Sequence, residues 1–139
     1  MSQFELHKKL IDDCEHLGKL SLSEVLLMKD ERFPWLILVP TVPELRDLHE
    51  VPSELRLQLF EEIELASKVI GEYGNATKIN VAALGNMVPQ LHVHVIARRT
   101  DDAAWPGPVW NAGPAEPVNE ELLTKCASEL RERLFNKPV

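Results

Sequence analysis

The chain has 139 residues, of which 45% are hydrophobic and 27% are charged. This composition is typical of one soluble globular domain, and a chain of this length buries enough surface to form its own core. It contains no run of about 18 apolar residues, so we expect no membrane-spanning helix. Residues 1–9 are polar and lack the apolar segment of a signal peptide, which predicts a cytoplasmic location.

The 15 basic and 22 acidic residues give a formal net charge of -7. An acidic surface repels a phosphate backbone, so the charge argues against a nucleic-acid-binding protein. It still allows a small anionic ligand, which a few backbone amides and one or two cations can hold. The two cysteines, Cys14 and Cys126, form no C-x-x-C motif, and we expect both to be buried free thiols.

The first predicted element is a helix over residues 2–18. Ser2 and Glu5 have the spacing of a capping box, which typically begins a helix. Apolar residues then recur near helical spacing, at Leu6, Leu10, Cys14 and Leu17. Glycine is common just after a helix, so Gly18 is expected to end this one.

Two strands and a long helix are predicted next. The strands cover 20–28 and 35–39, and the second is continuously apolar up to Pro40, as in a strand buried on both faces. The helix covers 53–73, with Ser53 as its N-cap and one apolar stripe along its length.

The last predicted elements are strands over 78–84 and 91–98 and a helix from about 119 to 136. The loop over 101–117 contains two large aromatic residues, Trp105 and Trp110, which argues for an ordered loop in which Trp105 packs in a core or an interface. This order of elements predicts an α+β fold with an antiparallel sheet, in a single domain over 1–139.

One segment carries polar residues on an otherwise apolar strand. Gln90, His92 and His94 alternate with apolar residues, so in a strand they point to the same side. Three interpretations are open: hydrogen-bonded histidines on a solvent-facing strand, a zinc site, or covalent catalysis by an imidazole. A catalytic zinc ion usually has three protein ligands, and no motif supplies an obvious third.

The residues from Gln90 to Ile96, Gln-Leu-His-Val-His-Val-Ile, resemble the histidine triad (HIT) motif His-φ-His-φ-His-φ-φ, in which φ is apolar. Gln90 stands where the first histidine of the motif belongs. The run from Gly85 to Pro89, and the apolar strand that precedes a long helix, also resemble this superfamily. The resemblance covers about 20–110 and implies a sheet of about five antiparallel strands, one long central helix, and helices at both ends.

The resemblance also implies a function and its catalytic residues. HIT proteins include nucleotide hydrolases and nucleotidyltransferases, in which the middle histidine, here His92, attacks the α-phosphorus and forms a nucleotidyl-histidine intermediate. His94, which matches the last histidine, would support it through hydrogen bonds. The step requires no metal or cofactor, the substrate is a nucleotide or nucleotide conjugate, and the protein is expected to be a homodimer.

Substrate-binding residues are assigned by the same resemblance. Gln90 and Asn86 are expected to line the phosphate site, Asp30 to hold the ribose, and Asn80 to support the site. Two departures from the family pattern concern catalysis. Gln90 can donate and accept hydrogen bonds but cannot become charged by taking up a proton at neutral pH, which favours substrates with good leaving groups. Trp35 stands where many relatives have a histidine.

The alternative to an enzyme is a nucleotide-binding module with little or no catalysis, because Gln90 replaces a titratable group. Other polar residues receive no catalytic role from the sequence. Arg98 and Arg99 are interpreted as surface charge. The histidines outside the motif are left without a function; they are His7, His16 and His49.

Overall fold

The computed structural model describes residues 3–136, which form three α-helices and one five-stranded antiparallel sheet. The helices are α1 (Lys8–Asp13), α2 (Arg56–Tyr73) and α3 (Glu120–Phe135). The strands are β1 (Cys14–Lys19), β2 (Ser23–Met28), β3 (Trp35–Pro40), β4 (Lys78–Ala82) and β5 (Val93–Arg98), in the sheet order β1-β2-β3-β5-β4. The predicted α+β class, with a long central helix and helices near both ends, is confirmed.

The two faces of the sheet are covered by different parts of the chain. On β3, Leu36 and Leu38 pack against α2 and α3. The alternate residues Trp35, Ile37 and Val39 pack on the other side, against the N-terminal segment and the loop that follows β5. All six residues of β3 are therefore buried, which accounts for its continuous apolar sequence.

The prediction of a helix over 2–18 is wrong for most of that segment. Only α1 is helical, with the side chain of His7 as its N-cap, and β1 follows directly and pairs with β2. Cys14 and Leu17 are three residues apart on β1 and pack on opposite faces of the sheet, although both are buried. The expected capping residue Ser2 lies outside the described residues.

The remaining predicted elements are present with shifted ends. β2, β4 and β5 begin or end two or three residues inside their predicted ranges. Residues 53–55 form a short 3-10 turn, so α2 begins at Arg56 with Leu55 at the N-cap, and the prediction of Ser53 as its cap is wrong. α3 begins close to its predicted start, and the Asn119 side chain is its N-cap, because it accepts a hydrogen bond from the Leu122 amide.

Two arginines fix the loop over 101–117 to the sheet. Arg98 is buried at the end of β5, where its Nε lies 2.7 Å from Asp102 Oδ2 and its Nη2 donates to the Gly107 carbonyl. The interpretation of Arg98 as surface charge is therefore wrong. Near the far end of the loop, Arg32 Nη1 donates to the Ala112 carbonyl at 2.6 Å.

Neither cysteine is in a disulfide; Cys14 is buried and Cys126 is partly buried. Burial raises the pKa of the Cys14 thiol to about 12.

Among residues 3–136, no helix combines the length and the apolar character needed to cross a bilayer.

Candidate active site

His92 immediately precedes β5 and is 7% exposed. Its Nδ1 lies 2.7 Å from the backbone carbonyl oxygen of Gln90. A carbonyl oxygen only accepts hydrogen bonds, so the neutral ring carries its proton on Nδ1. The lone pair is then on Nε2, which leaves that atom able to act as a nucleophile.

His94 has the opposite tautomer, and Trp35 sets it. The indole Nε1 of Trp35 lies 3.0 Å from His94 Nδ1. Because an indole N–H only donates, His94 Nδ1 must accept, and the proton of this ring is on Nε2. The two neighbouring rings, with centroids 4.8 Å apart, therefore present different groups at Nε2: a lone pair on His92 and an N–H on His94.

Both histidines are held in the neutral form. Burial lowers the pKa of His92, and this effect exceeds that of the Gln90 carbonyl, which raises it. Burial, together with the neighbouring His92, lowers the pKa of His94 to about 3. The unprotonated state of His92 is thus available at neutral pH without a separate general base.

Trp110, from the loop over 101–117, completes an aromatic cluster around His94. Its ring centroid lies 5.0 Å from that of His94 and 5.7 Å from that of Trp35, both with edge-to-face geometry. Trp110 is 41% exposed, so one side of the indole is open to solvent or a ligand. The loop thereby forms part of the candidate site.

The two histidines line a cavity of about 400 Å³, which we call the histidine cavity. Its walls are mostly apolar and include Leu10, Met28 and Ile37, with Trp110 on the same wall as the histidines. This size and lining suit the flat apolar part of a small ligand, while the histidines provide the polar end.

His92 also lines a second cavity of about 330 Å³, whereas His94 does not. We call it the arginine cavity, since Arg46 and His49 line it, together with Asp47 and the backbone around Gly85. The Nε2 atom that carries the lone pair thus belongs to a residue shared by two cavities, one mostly apolar and one lined by a mixture of charged, polar and apolar residues.

Residues 3–136 contain no group of three or more His, Cys, Asp or Glu side chains that could hold a metal ion. In that range His92 and His94 therefore lack a third ligand of these types. The donor set does not fit the zinc site that the sequence left open.

The family model of the HIT domain matches residues 11–101. The chain belongs to the HIT family. Solved structures of three HIT proteins resemble it over nearly their full length. The protein from Bradyrhizobium japonicum is 41% identical to this chain with a TM-score of 0.92, and the match covers 96% of this chain and 100% of that one. The protein from Marinobacter aquaeolei is 44% identical with a TM-score of 0.92, and the match covers 97% of this chain and 98% of that one. The protein from Sinorhizobium meliloti is 44% identical with a TM-score of 0.90, and the match covers 94% of this chain and 97% of that one. The curated proteins contain no match to this chain.

The structure of this HIT protein brings only part of the predicted site together. Asn86 lines the histidine cavity beside His92 and His94. The Gln90 side chain is instead bonded at both ends to the N-terminal segment: its Oε1 accepts from the His7 amide at 2.9 Å, and its Nε2 donates to the carbonyl of Glu5 at 2.8 Å. Its amide is thus engaged away from the histidine rings.

The other two predicted residues contact the loop over 101–117 or its anchors. Asp30 is buried and bonded to Arg32, with 2.9 Å between Oδ2 and Nη2, and it lines a separate cavity of about 220 Å³ that neither histidine lines. Asn80 accepts a hydrogen bond from Arg98 Nη1 at 2.8 Å. Both residues therefore support the arginines that hold the loop in this HIT protein.

Sequence reasoning missed the roles of Trp35, Trp110 and Asp102. Trp35 was noted as a departure from the family pattern, yet its hydrogen bond to His94 depends on the pairing of β3 with β5, where Trp35 lies opposite Ile96. This register is visible only in the structure, so the sequence offered no signal for the contact. Trp110 and Asp102 act through a loop whose path no local pattern indicates.

Proposed function

We propose that this HIT protein is a nucleotide hydrolase or nucleotidyltransferase that acts through a nucleotidyl-histidine intermediate on His92. The observation that carries the proposal is the 2.7 Å contact between His92 Nδ1 and the Gln90 carbonyl. It orients the ring and leaves a lone pair on Nε2, in a buried residue that lines the cavity expected to hold substrate.

The proposed reaction has two steps. In the first, His92 Nε2 forms a bond to the α-phosphorus, the bond to the leaving group breaks, and its electron pair departs with that group. In the second, water or another acceptor forms a bond to phosphorus and loses a proton, the bond to Nε2 breaks, and His92 is neutral again. The proton stays on His92 Nδ1 throughout and remains hydrogen-bonded to the Gln90 carbonyl oxygen.

Other residues of the histidine cavity would bind and orient the substrate for this reaction. The N–H on His94 Nε2 would donate to an oxygen of the phosphoryl group, where negative charge develops. The apolar wall of the histidine cavity would hold the nucleoside, and the Asn86 amide would donate to phosphate. Asp30 and Asn80 would act at a distance, through Arg32 and Arg98.

The test is intact-protein mass spectrometry after mixing with activated adenylates and guanylates. Wild type should gain the mass of one nucleotidyl group, and His92→Ala should gain none. His16→Ala, which removes an exposed histidine on β1, should react as wild type does and serves as the matched control. A nucleotidyl adduct on His92→Ala would refute the proposed nucleophile.

A nucleotide-binding module is the second candidate function. The observation that favours it is the engagement of Gln90 with Glu5 and His7, because this leaves the position of the first triad histidine without a titratable group near phosphate. A binding module should bind a nucleoside monophosphate in calorimetry. It should form no nucleotidyl adduct and release no monophosphate from the substrates, whereas the proposed enzyme should do both.

We also propose a homodimer, as the resemblance implies. β4 lies at an edge of the sheet, where its backbone groups are available to pair, and Val81 on this strand is exposed. Leu57 and Phe60 of α2 are also exposed apolar side chains. Light scattering should give twice the chain mass of 15.8 kDa, and a monomer mass at micromolar concentration would contradict this assignment.

A further inference from the structure

Residues 3–13, the N-terminal segment, form one wall of the histidine cavity. Lys9, Leu10 and Asp13 of α1 line the cavity on this side. Leu10 is only 5% exposed and belongs to the same apolar cluster as Trp35. A ligand in the histidine cavity would contact α1, so its affinity depends on the place that α1 occupies.

α1 does not hold that place by itself. It has six residues, which is too few for a helix to be stable in isolation in water. Its C-terminal end continues directly into β1, which pairs with β2, and the Lys29 amide donates to the Asp13 carbonyl at 3.1 Å. Residues 3–7, at its N-terminal end, lie outside any strand or helix. The position of that end therefore depends on contacts made by side chains.

The side chain of Gln90 provides two such contacts. Its Oε1 accepts a hydrogen bond from the His7 amide at 2.9 Å, and its Nε2 donates to the Glu5 carbonyl at 2.8 Å. His7 is in turn the N-cap of α1, because its Nδ1 accepts from the Lys9 amide at 3.0 Å. The contacts thus run from Gln90 through His7 to the helix that carries Leu10.

The backbone of Gln90 has a different role from its side chain. The carbonyl oxygen of Gln90 accepts from His92 Nδ1 at 2.7 Å and orients the proposed nucleophile. Every residue has this carbonyl, so a substitution at position 90 retains the bond to His92 and removes only the side-chain bonds. The Gln90 side chain lines neither the histidine cavity nor the arginine cavity.

Resting on the proposed function, we propose that Gln90 is a positioning residue for nucleotide binding, and that it acts through the N-terminal segment. Its side chain holds α1 in place as the wall against which the nucleoside packs, and it does not contact the phosphoryl group. Glutamine suits this role because one amide presents an acceptor and a donor, which bond to a backbone amide and a backbone carbonyl at once. The position of the first triad histidine thus serves substrate binding in this chain.

The first experiment separates binding from chemistry in Gln90→Ala. Kd for AMP and for GMP is measured by calorimetry, and KM and kcat are measured with activated adenylates and guanylates. We expect Kd and KM to rise about tenfold, as for the net loss of one hydrogen bond, while kcat stays within about threefold of wild type. A fall in kcat of about 10²-fold or more, typical of a lost proton-transfer group, would overturn the inference. Unchanged Kd and KM would also overturn it.

Two further variants control for the substitution itself. Gln90→Met keeps the length of the side chain without its hydrogen-bonding groups and should raise Kd as Gln90→Ala does. Wild-type affinity in Gln90→Met would refute a role for the two hydrogen bonds. Gln58→Ala removes a glutamine of α2 whose Nε2 donates to Glu62 at 3.1 Å, away from the histidine cavity. It should leave Kd, KM and kcat as in wild type.

A double-mutant cycle tests whether Gln90 acts through the N-terminal segment. His7→Pro removes the amide N–H that Gln90 bonds, and the φ of -58° at His7 is one that proline adopts. His7→Ala is the matched control, because it also removes the Nδ1 cap but keeps the amide. The effect of Gln90→Ala on Kd should be smaller in the His7→Pro background than in the His7→Ala background. Equal effects in the two backgrounds would contradict a role through the His7 amide.

The same measurements distinguish this inference from the proposed function. An adduct on His92, together with a large loss of kcat in Gln90→Ala, would refute the positioning role alone. No adduct and no turnover in wild type would refute the proposed function, and Kd for AMP and GMP would still decide whether Gln90 controls binding. The absence of nucleotide binding in wild type would refute both.

Discussion

Arg98 and Asp102 form a buried ion pair at the point where β5 ends and the loop over 101–117 begins. Their side chains are 2% and 7% exposed, and Arg98 Nε lies 2.7 Å from Asp102 Oδ2. The other carboxylate oxygen of Asp102 accepts from the amides of Ala104 and Trp105. One carboxylate therefore neutralises a buried cation and also sets the first turn of the loop that carries Trp110.

Replacing Asp102 should destabilise the protein strongly. Asp102→Ala leaves the Arg98 guanidinium buried without its partner, and removal of one member of a buried ion pair typically lowers the free energy of unfolding by about 3 kcal/mol. Urea denaturation measures this change. Asp101→Ala is the matched control: Asp101 pairs with Arg99 on the surface, and the loss should stay below about 1 kcal/mol. Similar losses in the two variants would show that the buried pair has no special role.

The pH dependence of adduct formation should reflect a lowered pKa at His92. Because burial disfavours the imidazolium form, the pKa of His92 in the folded protein lies below the ordinary histidine value of 6.5. The single-turnover rate should therefore fall as the pH is lowered, with a midpoint below pH 6.5, because protonation removes the lone pair of Nε2. Stopped samples analysed by mass spectrometry give the rate. A midpoint at or above pH 6.5 would contradict the assignment of the neutral, buried His92 as nucleophile.

His94 should make the fold less stable as the pH falls below 6.5. Its pKa is about 3 in the folded protein, whereas the ordinary value for histidine is 6.5, so the unfolded chain binds a proton that the folded state does not. Between pH 6.0 and 4.5 this one group should lower the free energy of unfolding by about 1.4 kcal/mol per pH unit.

The His94→Gln variant isolates that contribution. Its slope of unfolding free energy against pH over the same range should be smaller than that of wild type by about that amount. Carboxylates with a lowered pKa, such as Asp30 and Asp102, lose their stabilising effect only at more acid pH, near and below the ordinary aspartate value of 3.8. Equal slopes for wild type and variant would refute the neutral state of His94.

Gln90 should control the order of the N-terminal segment. Gln90→Ala removes both hydrogen bonds, one to the amide of His7 and one to the carbonyl of Glu5. We expect faster hydrogen exchange at the His7 amide, with exchange in β3 and β5 unchanged. Gln58→Ala, on α2, should not change exchange at His7. Slow exchange at His7 in the Gln90 variant would show that the segment is held by other contacts.

Most of the sheet and both long helices could be predicted from the sequence, because their apolar residues either follow the period of one kind of structure or, as in β3, form a short continuous run. β1 was mistaken for a helix because Cys14 and Leu17 are both apolar at a spacing of three. In a helix this spacing places two residues on one face, and in a strand it places them on opposite faces. Since this sheet is covered on both sides, both residues are buried in β1, and the spacing alone did not distinguish the two structures.

The parts of the candidate site that lie close together in the sequence could be predicted. His92 and His94 lie in one short motif, and alternation along a strand was enough to place them side by side. The contacts that set their tautomers are of different kinds. The Gln90 carbonyl is two residues from His92, whereas the Trp35 indole is 59 residues from His94 and reaches it only through the pairing of β3 with β5. Sequence periodicity carries no information on that register.

The chain contains three tryptophans, and all of them lie on or beside the candidate site. Trp35 and Trp110 contact His94, and Trp105 lies against the Arg98 guanidinium that holds the same loop. The intrinsic fluorescence of the protein therefore comes from this region. Occupancy of the histidine cavity, protonation of His94 and movement of the loop are each open to optical titration on the unlabelled protein.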